Sequence, residues 1–232
     1  MFKNNFFSTL KQNSATTAST LPMPNYRTLN PIGHQDQMIS PRYASKSSMK
    51  RIVIIGSSGS GKSTLARQLG NDLNLQVFHL DQHFWRPGWV ETPEDKWKAK
   101  VASMTDYDSW IIDGNYRETL DLRLKRADSV IFMDLHPFIC SWRAMKRRII
   151  YRNRSRPDMA DGCVEKLFDP QLFEFMRHIW QYPYRAKPEV MQKLEAVAPE
   201  KRVIWLRSRT QVNNFLQSPL NYPAYMPNAI FY

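Results

Sequence analysis

A glycine-rich segment that carries one lysine and adjacent hydroxyls is the part of this sequence best suited to chemistry. It reads Gly56-Ser57-Ser58-Gly59-Ser60-Gly61-Lys62-Ser63-Thr64, the pattern G-x-x-x-x-G-K-S. Glycines let backbone N–H groups close around a phosphate, and the helix that follows adds partial positive charge. Lys62 can reach the outer phosphates of a triphosphate, and the Ser63 hydroxyl can ligate magnesium. We predict that ATP and Mg²⁺ bind here, through Gly56, Ser57, Gly59, Ser60, Gly61, Lys62, Ser63 and Thr64.

The residues on either side of this phosphate loop predict the elements that would position it. Arg51–Ile55 is β-branched and nearly uncharged, as expected for a strand buried on both faces. Leu65, Leu69 and Leu73 recur at four-residue spacing, which is typical of one face of a helix. Strand, loop and helix therefore follow one another in the order that phosphate binding requires.

The rest of the chain alternates between strand and helix patterns, which predicts a parallel α/β sheet with crossover helices. We expect helices to begin near residues 92–95 and 169–170, and we expect Pro183 to break the second of these. Pro188 is expected to open a further helix, and a short helix is expected around residues 212–216. The predicted strands are 51–55, 76–80, 109–113, 129–134 and 202–206.

Bulk composition favours one domain with additional terminal segments. The chain has 232 residues, a net charge of +12 and 42% apolar residues, enough for a core. Its two cysteines form neither a disulfide framework nor a zinc-ligand set, so we expect a reducing compartment, the cytoplasm. No apolar run is long enough for a membrane span. We assign residues 49–217 to the phosphate-loop domain and residues 218–232 to a tail.

Residues 1–48 differ in composition from the remainder of the chain. They are rich in Ser, Thr, Asn, Gln and Pro and show no sustained helical or strand period. We interpret them as a disordered leader, or as upstream sequence translated from a misplaced start. The alternative is an organelle transit peptide, because acids are scarce and hydroxyls are frequent there.

The other motifs indicate which class of phosphate-loop protein this is. The sequence has no N/T-K-x-D element of the kind that reads guanine in switch proteins. The aspartates at the ends of predicted strands, Asp113 and Asp134, are not followed by a glutamate that could orient an attacking water. Transfer of the γ-phosphoryl group to a bound acceptor is therefore favoured over hydrolysis.

Three strand-end or loop segments supply candidate site residues beyond the phosphate loop. Asp113 is predicted to help hold Mg²⁺ together with Ser63, the alternative being a cap for the next segment. Asp81 is predicted to hydrogen-bond the acceptor hydroxyl or act as general base, the alternatives being a turn cap or a metal site with His79 and His83. Arg117 could clamp an anionic acceptor or form a surface ion pair, and Trp85 and Trp89 could stack on the acceptor or pack their loop.

An arginine-rich window spans residues 143–156 and contains no acid. On a mobile flap such arginines can neutralise charge on the phosphoryl group during its transfer, and we take Arg147 and Arg152 as the catalytic candidates. The alternatives are a solvated helix face, or binding of nucleic acid through backbone phosphates. The cationic residues are Arg143, Lys146, Arg147, Arg148, Arg152, Arg154 and Arg156.

Taken together, the phosphate loop, Leu80–Trp89, Trp110–Tyr116 and Arg147–Asp158 resemble the adenylate-kinase-related proteins known as DNA topology modulation proteins. The resemblance spans about residues 49–217. It implies a phosphate-loop NTPase fold of the nucleoside- and nucleotide-kinase type, a five-stranded parallel sheet with helices on both faces and a short arginine-rich lid. It also implies an ATP- and Mg²⁺-dependent phosphotransferase acting on a small molecule or nucleotide. An ATP-dependent nucleic-acid-binding regulator is the alternative.

Overall fold

A five-stranded parallel sheet forms the centre of the protein. In the computed structural model, residues 49–166 and 169–224 are described, so the predictions for residues 1–48 and for most of the tail lie outside the described residues. The strands are β1 (Arg51–Gly56), β2 (Val77–His79), β3 (Trp85–Arg86), β4 (Val90–Glu91), β5 (Trp110–Asp113), β6 (Ser129–Met133) and β7 (Arg202–Leu206). The main sheet has the order β2-β5-β1-β6-β7, while β3 and β4 pair as a separate hairpin.

Helices connect the strands and cover both faces of the sheet. They are α1 (Lys62–Leu73), α2 (Leu80–Phe84), α3 (Glu94–Thr105), α4 (Leu120–Arg126), α5 (Pro137–Ile150), α6 (Leu172–Arg185), α7 (Lys187–Val197) and α8 (Arg209–Gln217). None of the helices in the described part of the chain is long and apolar enough to cross a membrane.

The α/β prediction is confirmed, and the predicted strands match all members of the main sheet to within a residue or two. Two local predictions are wrong. The second strand ends at His79 and helix α2 begins at Leu80, so Asp81 is helical rather than at a strand end. Pro183 lies inside α6 and does not break it, because Ile179 and Tyr182 of the same helix are buried and hold it against the domain.

The alternation of side chains along β1 explains why helices are needed on both faces. Val53 and Ile55 belong to one buried cluster, with residues of α3, α4 and α7. Ile52 and Ile54 belong to the other, with residues of α1, α5, α6 and α8. A strand whose side chains are buried on both faces reads as a continuous apolar run, which is the pattern seen in the sequence.

The strand register brings the candidate site residues to one edge of the sheet. β1 lies between β5 and β6, with Ile54 opposite Asp113 and Gly56 opposite Met133. β2 pairs with the outer side of β5 and sets His79 opposite Asp113. The phosphate loop therefore leaves the sheet beside the ends of strands that carry polar side chains, where ligands bind in open α/β sheets.

Arg123 on α4 fixes the segment that follows β5. Its guanidinium is fully buried and donates hydrogen bonds to the carbonyl oxygens of Gly114 (3.0 Å), Tyr116 (2.6 Å) and Thr119 (3.3 Å). Burial lowers the pKa of Arg123 to about 10, and the charge of Asp113 opposes that shift. The cation thus orders the backbone just beyond Asp113.

Replacing Arg123 with methionine should lower the free energy of unfolding by about 3 kcal/mol, because buried carbonyls lose their donors. Urea unfolding followed by circular dichroism measures the change. Arg126→Met is the matched control on the same helix, since Arg126 is exposed and its ion-pair partner among the described residues is the exposed Asp106. An equal loss of unfolding free energy in both variants would contradict the conclusion that Arg123 stabilises the segment after β5.

Candidate active site

Two positions of the phosphate loop require glycine, because backbone atoms of neighbouring segments occupy the space that a Cβ would need. At Gly56, with φ of +145°, a Cβ would lie 2.3 Å from the carbonyl oxygen of Met133. At Gly59, with φ of +78°, it would lie 2.1 Å from the carbonyl oxygen of Cys140. The loop is thereby seated between the end of β6 and the start of α5.

Lys62 is the first residue of α1 and is held inside the loop. Its Nζ donates a 3.0 Å hydrogen bond to the carbonyl oxygen of Ser57. Burial lowers the pKa of Lys62, while the carboxylates of Asp81 and Asp113 act in the opposite direction. The negative charges of Asp81 and Asp113 therefore both act on the ammonium group. The first turn of α1, which Lys62 begins, contains no acid of its own.

Asp113 joins the phosphate loop to β2. The Ser63 hydroxyl donates a 2.8 Å hydrogen bond to Asp113 Oδ2, and His79 Nδ1 lies 2.5 Å from Asp113 Oδ1. Burial alone would lower the pKa of His79, but the hydrogen bond and negative charge of Asp113 outweigh it and raise that pKa. Both oxygens of this buried carboxylate are therefore oriented by protein donors.

The donor set fits a bound triphosphate with Mg²⁺. The hydroxyls of Ser57 and Ser60 are buried in the loop and have no hydrogen-bond partner among the described residues. Such hydroxyls can donate to phosphate oxygens, and a close-fitting loop of glycines leaves room for them. The paired Ser63 hydroxyl and Asp113 carboxylate are oxygen ligands of the kind that Mg²⁺ takes directly or through water.

Asp81 belongs to helix α2, and its negative charge acts on Lys62. Tyr116 donates its hydroxyl hydrogen to Asp81 Oδ1 at 2.8 Å, which leaves Oδ2 without a hydrogen-bond donor among the described residues. Burial raises the pKa of Tyr116 well above its usual value, and the nearby Asp81 charge adds to the effect. The sequence-based grouping of His79, Asp81 and His83 on one strand face is wrong, because the backbone turns helical at Leu80.

Three arginines of the arginine-rich window point inward. Arg143 on α5 donates a 3.0 Å hydrogen bond to the carbonyl oxygen of Ser60 in the phosphate loop. One turn later, burial and the charge of Arg156 lower the pKa of Arg147, while Asp158 and Asp81 oppose the shift. Arg147 Nε and two guanidinium nitrogens of Arg156 are buried and have no hydrogen-bond partner among the described residues. The charge of Asp81 therefore acts on both Arg147 and Lys62.

The lid, residues 151–166, is held by an internal ion network. Arg156 Nε lies 3.3 Å from Glu165 Oε1 and 3.7 Å from Asp158 Oδ1, and both acids are buried. Arg148 reaches the same Glu165 at 3.7 Å and pairs with Asp169 at 3.0 Å. These contacts fold the lid back against α5 and keep Arg147 and Arg156 side by side.

Arg143 contacts the phosphate loop, whereas the contacts of Arg152 and Arg117 lie elsewhere in the domain. Arg152 is exposed, and its backbone forms an isolated bridge with Glu165. Arg117 pairs with Glu189 on α7, a partner that the sequence did not indicate. The catalytic role of Arg152 and the acceptor role of Arg117 stay predictions.

The Trp85 and Trp89 segment forms the small β3–β4 hairpin, which packs against the lid. Trp89 Nε1 donates to the Val164 carbonyl at 3.0 Å, and the Gly88 N–H donates to the Gly162 carbonyl at 3.1 Å. The Trp85 ring lies edge-on to Trp89, with centroids 5.5 Å apart. Both tryptophans are only partly buried, so packing of the loop accounts for part of their surface, and acceptor stacking stays a prediction.

Sequence reasoning missed several residues of this site. His79 had been considered only together with Asp81 and His83, whereas its partner is Asp113, on the neighbouring strand. Tyr116 entered only as part of a motif, although its hydroxyl orients Asp81. The signal for His79 was its place at the end of a strand, but its partner could be named only once the strand order was known.

Comparisons with known proteins give only remote structural likenesses. No protein-family model matches the chain, and no curated protein is significantly similar to it. A sugar kinase from Janibacter sp. is 21% identical over 74% of this chain and 92% of that chain, with a TM-score of 0.43. The shikimate kinase from Bacteroides thetaiotaomicron is 19% identical over 72% and 94%, with a TM-score of 0.40. The shikimate kinase from Acinetobacter baumannii, in complex with shikimate, is 14% identical over 75% and 92%, with a TM-score of 0.46.

These likenesses are remote, so the description of the fold rests on the strand order and the phosphate loop described above. That architecture, a five-stranded parallel sheet with helices on both faces and the loop after its central strand, is the phosphate-loop α/β fold that the sequence predicted. The more specific resemblance to DNA topology modulation proteins stays a prediction.

Alanine at position 59 should abolish ATP binding, because its Cβ would force the loop away from the Cys140 carbonyl. We expect affinity for a fluorescent ATP analogue to fall at least ~100-fold, a loss of about 2.7 kcal/mol. Gly88→Ala is the matched control, since Gly88 also has φ of +79° but no atom within 4 Å of the added Cβ. Unchanged affinity in Gly59→Ala, with circular dichroism unaltered, would contradict this description of the loop.

Alanine at position 79 should weaken Mg²⁺ binding without unfolding the protein, because Asp113 loses the donor that orients it. The Mg²⁺ concentration needed for half-maximal ATP-analogue binding should rise about 10- to 100-fold, as for other groups that orient metal ligands. His83→Ala serves as control, because no hydrogen bond joins its imidazole to Asp113. If both variants require the same Mg²⁺ concentration as the parent chain, His79 has no such role.

Proposed function

We propose that the protein is an ATP- and Mg²⁺-dependent phosphotransferase that passes the γ-phosphoryl group of ATP to a hydroxyl of a small molecule or nucleotide. The observation that carries the proposal is the arrangement around Lys62. Two carboxylates act on Lys62: that of Asp113, which accepts a hydrogen bond from Ser63, and that of Asp81, which accepts one from Tyr116. In this proposal Asp113 serves the metal and Asp81 serves the acceptor.

Lys62 and the inward-facing arginines would stabilise the phosphoryl group during transfer. Lys62 would exchange its hydrogen bond to the Ser57 carbonyl for one to a phosphate oxygen, which is a short movement within the loop. Arg147 Nε and Arg156 Nη1, which have no hydrogen-bond partner among the described residues, would donate to the transferring group or to the β-phosphate. Bound Mg²⁺ would supply additional neutralisation of the phosphate oxygens.

Asp81 is the residue we assign to the acceptor. Its Oδ2 atom would accept the proton of the acceptor hydroxyl while the hydroxyl oxygen forms a bond to the γ-phosphorus. The bond between that phosphorus and the β–γ bridging oxygen breaks, and ADP leaves with the bridging oxygen. Tyr116 keeps the carboxylate in place through its hydrogen bond to Oδ1.

Nucleic-acid binding through the arginine-rich window is the second candidate, and the contacts of that window favour it less. Arg143, Arg148 and Arg156 contact groups within the domain rather than forming a solvated face. Lys146, Arg152 and Arg154 are the exposed members of the set. A DNA surface built from the whole window would have to break the internal ion pairs, whereas a phosphoryl-transfer site uses them.

A coupled ADP-release screen across nucleosides, nucleotides, sugars and small hydroxy acids tests the proposal. We expect ADP release to depend on one class of acceptor and to disappear in Lys62→Ala. Asp81→Asn should retain ATP binding but lower kcat by about 10²–10⁴-fold, the range for a general base. Arg154→Ala is the control within the window, because Arg154 is exposed. ADP release that is equally fast without any acceptor would contradict phosphotransfer.

A further inference from the structure

Helices α5 and α6 carry an exposed apolar surface that the reaction does not use. On α6, Phe173, Arg177, Trp180 and Tyr184 recur at helical spacing and are all exposed, and α5 adds further aromatic residues. Arg148 near the end of α5 pairs with Asp169 just before α6, so the end of α5 lies beside the start of α6. The exposed fractions are Phe138 63%, Trp142 64%, Phe173 77%, Trp180 48% and Tyr184 83%.

The size of this surface is close to what a stable interface needs. Aromatic side chains expose about 150–250 Å² each when free, so these five offer roughly 600–800 Å². A standard interface buries about 800 Å² on each partner and is rich in tryptophan, tyrosine, phenylalanine and arginine. Isolated exposed apolar residues need no explanation, but a cluster of this size on neighbouring helices does.

The order of residues along α6 is complementary to itself. A two-fold axis perpendicular to the middle of α6 would pair it with an antiparallel copy, so that Phe173 meets Tyr184 and Arg177 meets Trp180 of the second copy. The first pair is aromatic, and the second sets a cation on an indole ring. Glu174, near the start of one helix, would lie beside the turn that carries Arg185 at the end of the other, so the charges also match.

We propose that α5 and α6 form the interface of a two-fold homodimer, centred on Arg177 and Trp180. A closed two-fold pairing uses the same patch on both copies, which agrees with the self-complementary order of the α6 residues. The patch excludes Arg143 and Arg147, which contact or face the phosphate loop from α5. The proposal is therefore independent of which acceptor the protein uses.

Sedimentation velocity of the full chain, over protein concentrations up to about 100 μM, tests this interface. We expect a species of twice the 27.3 kDa chain mass, and Trp180→Asp should return it to the monomer mass with unchanged circular dichroism. Tyr107→Asp is the control, because Tyr107 is an equally exposed aromatic residue outside the patch. A chain that stays monomeric throughout, or a Trp180→Asp variant that stays dimeric, would overturn the proposal.

Cross-linking tests the register independently of any loss of affinity. Paired helices lie about 8–10 Å apart, so a thiol reagent of similar reach should join two copies of the double variant Phe173→Cys, Tyr184→Cys. The single variant Phe173→Cys should not react, because its two cysteines would be about 16 Å apart along the axis. The native thiols, Cys140 and Cys163, are buried. Equal cross-linking of single and double variants would contradict the antiparallel pairing.

Discussion

The carboxylate of Asp113 is the constraint on which the site depends. It is buried at the end of β5, where an unpartnered charge would be costly, and it has donors on both sides. One donor, Ser63, comes from the first turn of α1, and the other, His79, comes from the end of β2. Because β5 lies between β1 and β2, only this strand order lets one acid orient both the phosphate loop and its neighbouring strand.

The second constraint is the contact between the loop and α5. The Cys140 carbonyl fills the space beside Gly59, and Arg143 from the same helix donates to the Ser60 carbonyl. The helix that carries the inward arginines is therefore fixed to the loop itself rather than approaching it from a distance. The lid is in turn held by Arg148 and Arg156, which both contact Glu165.

The sequence predicted the parts of this protein that depend on local pattern. The apolar strands and the G-x-x-x-x-G-K-S loop were recognisable, as was helix α3, because each is specified by neighbouring residues. Arg117 was assigned to the acceptor or to a surface ion pair, and the identity of its ion-pair partner, Glu189, could not be predicted because it lies far along the chain. His79 and Tyr116 acquire their partners only through strand order and the path after β5. Pro183 was expected to end a helix, but buried neighbours in α6 override that preference.

In the function we propose, main-chain amides, Lys62 and the Ser63–Asp113 pair together bind a nucleoside triphosphate with its magnesium. Titration calorimetry of ATP into the full chain, with and without Mg²⁺, tests it most directly. We expect saturable binding at one site per chain that tightens when Mg²⁺ is present. No saturable heat with ATP or any other purine triphosphate, in a chain whose circular dichroism shows it to be folded, would contradict it.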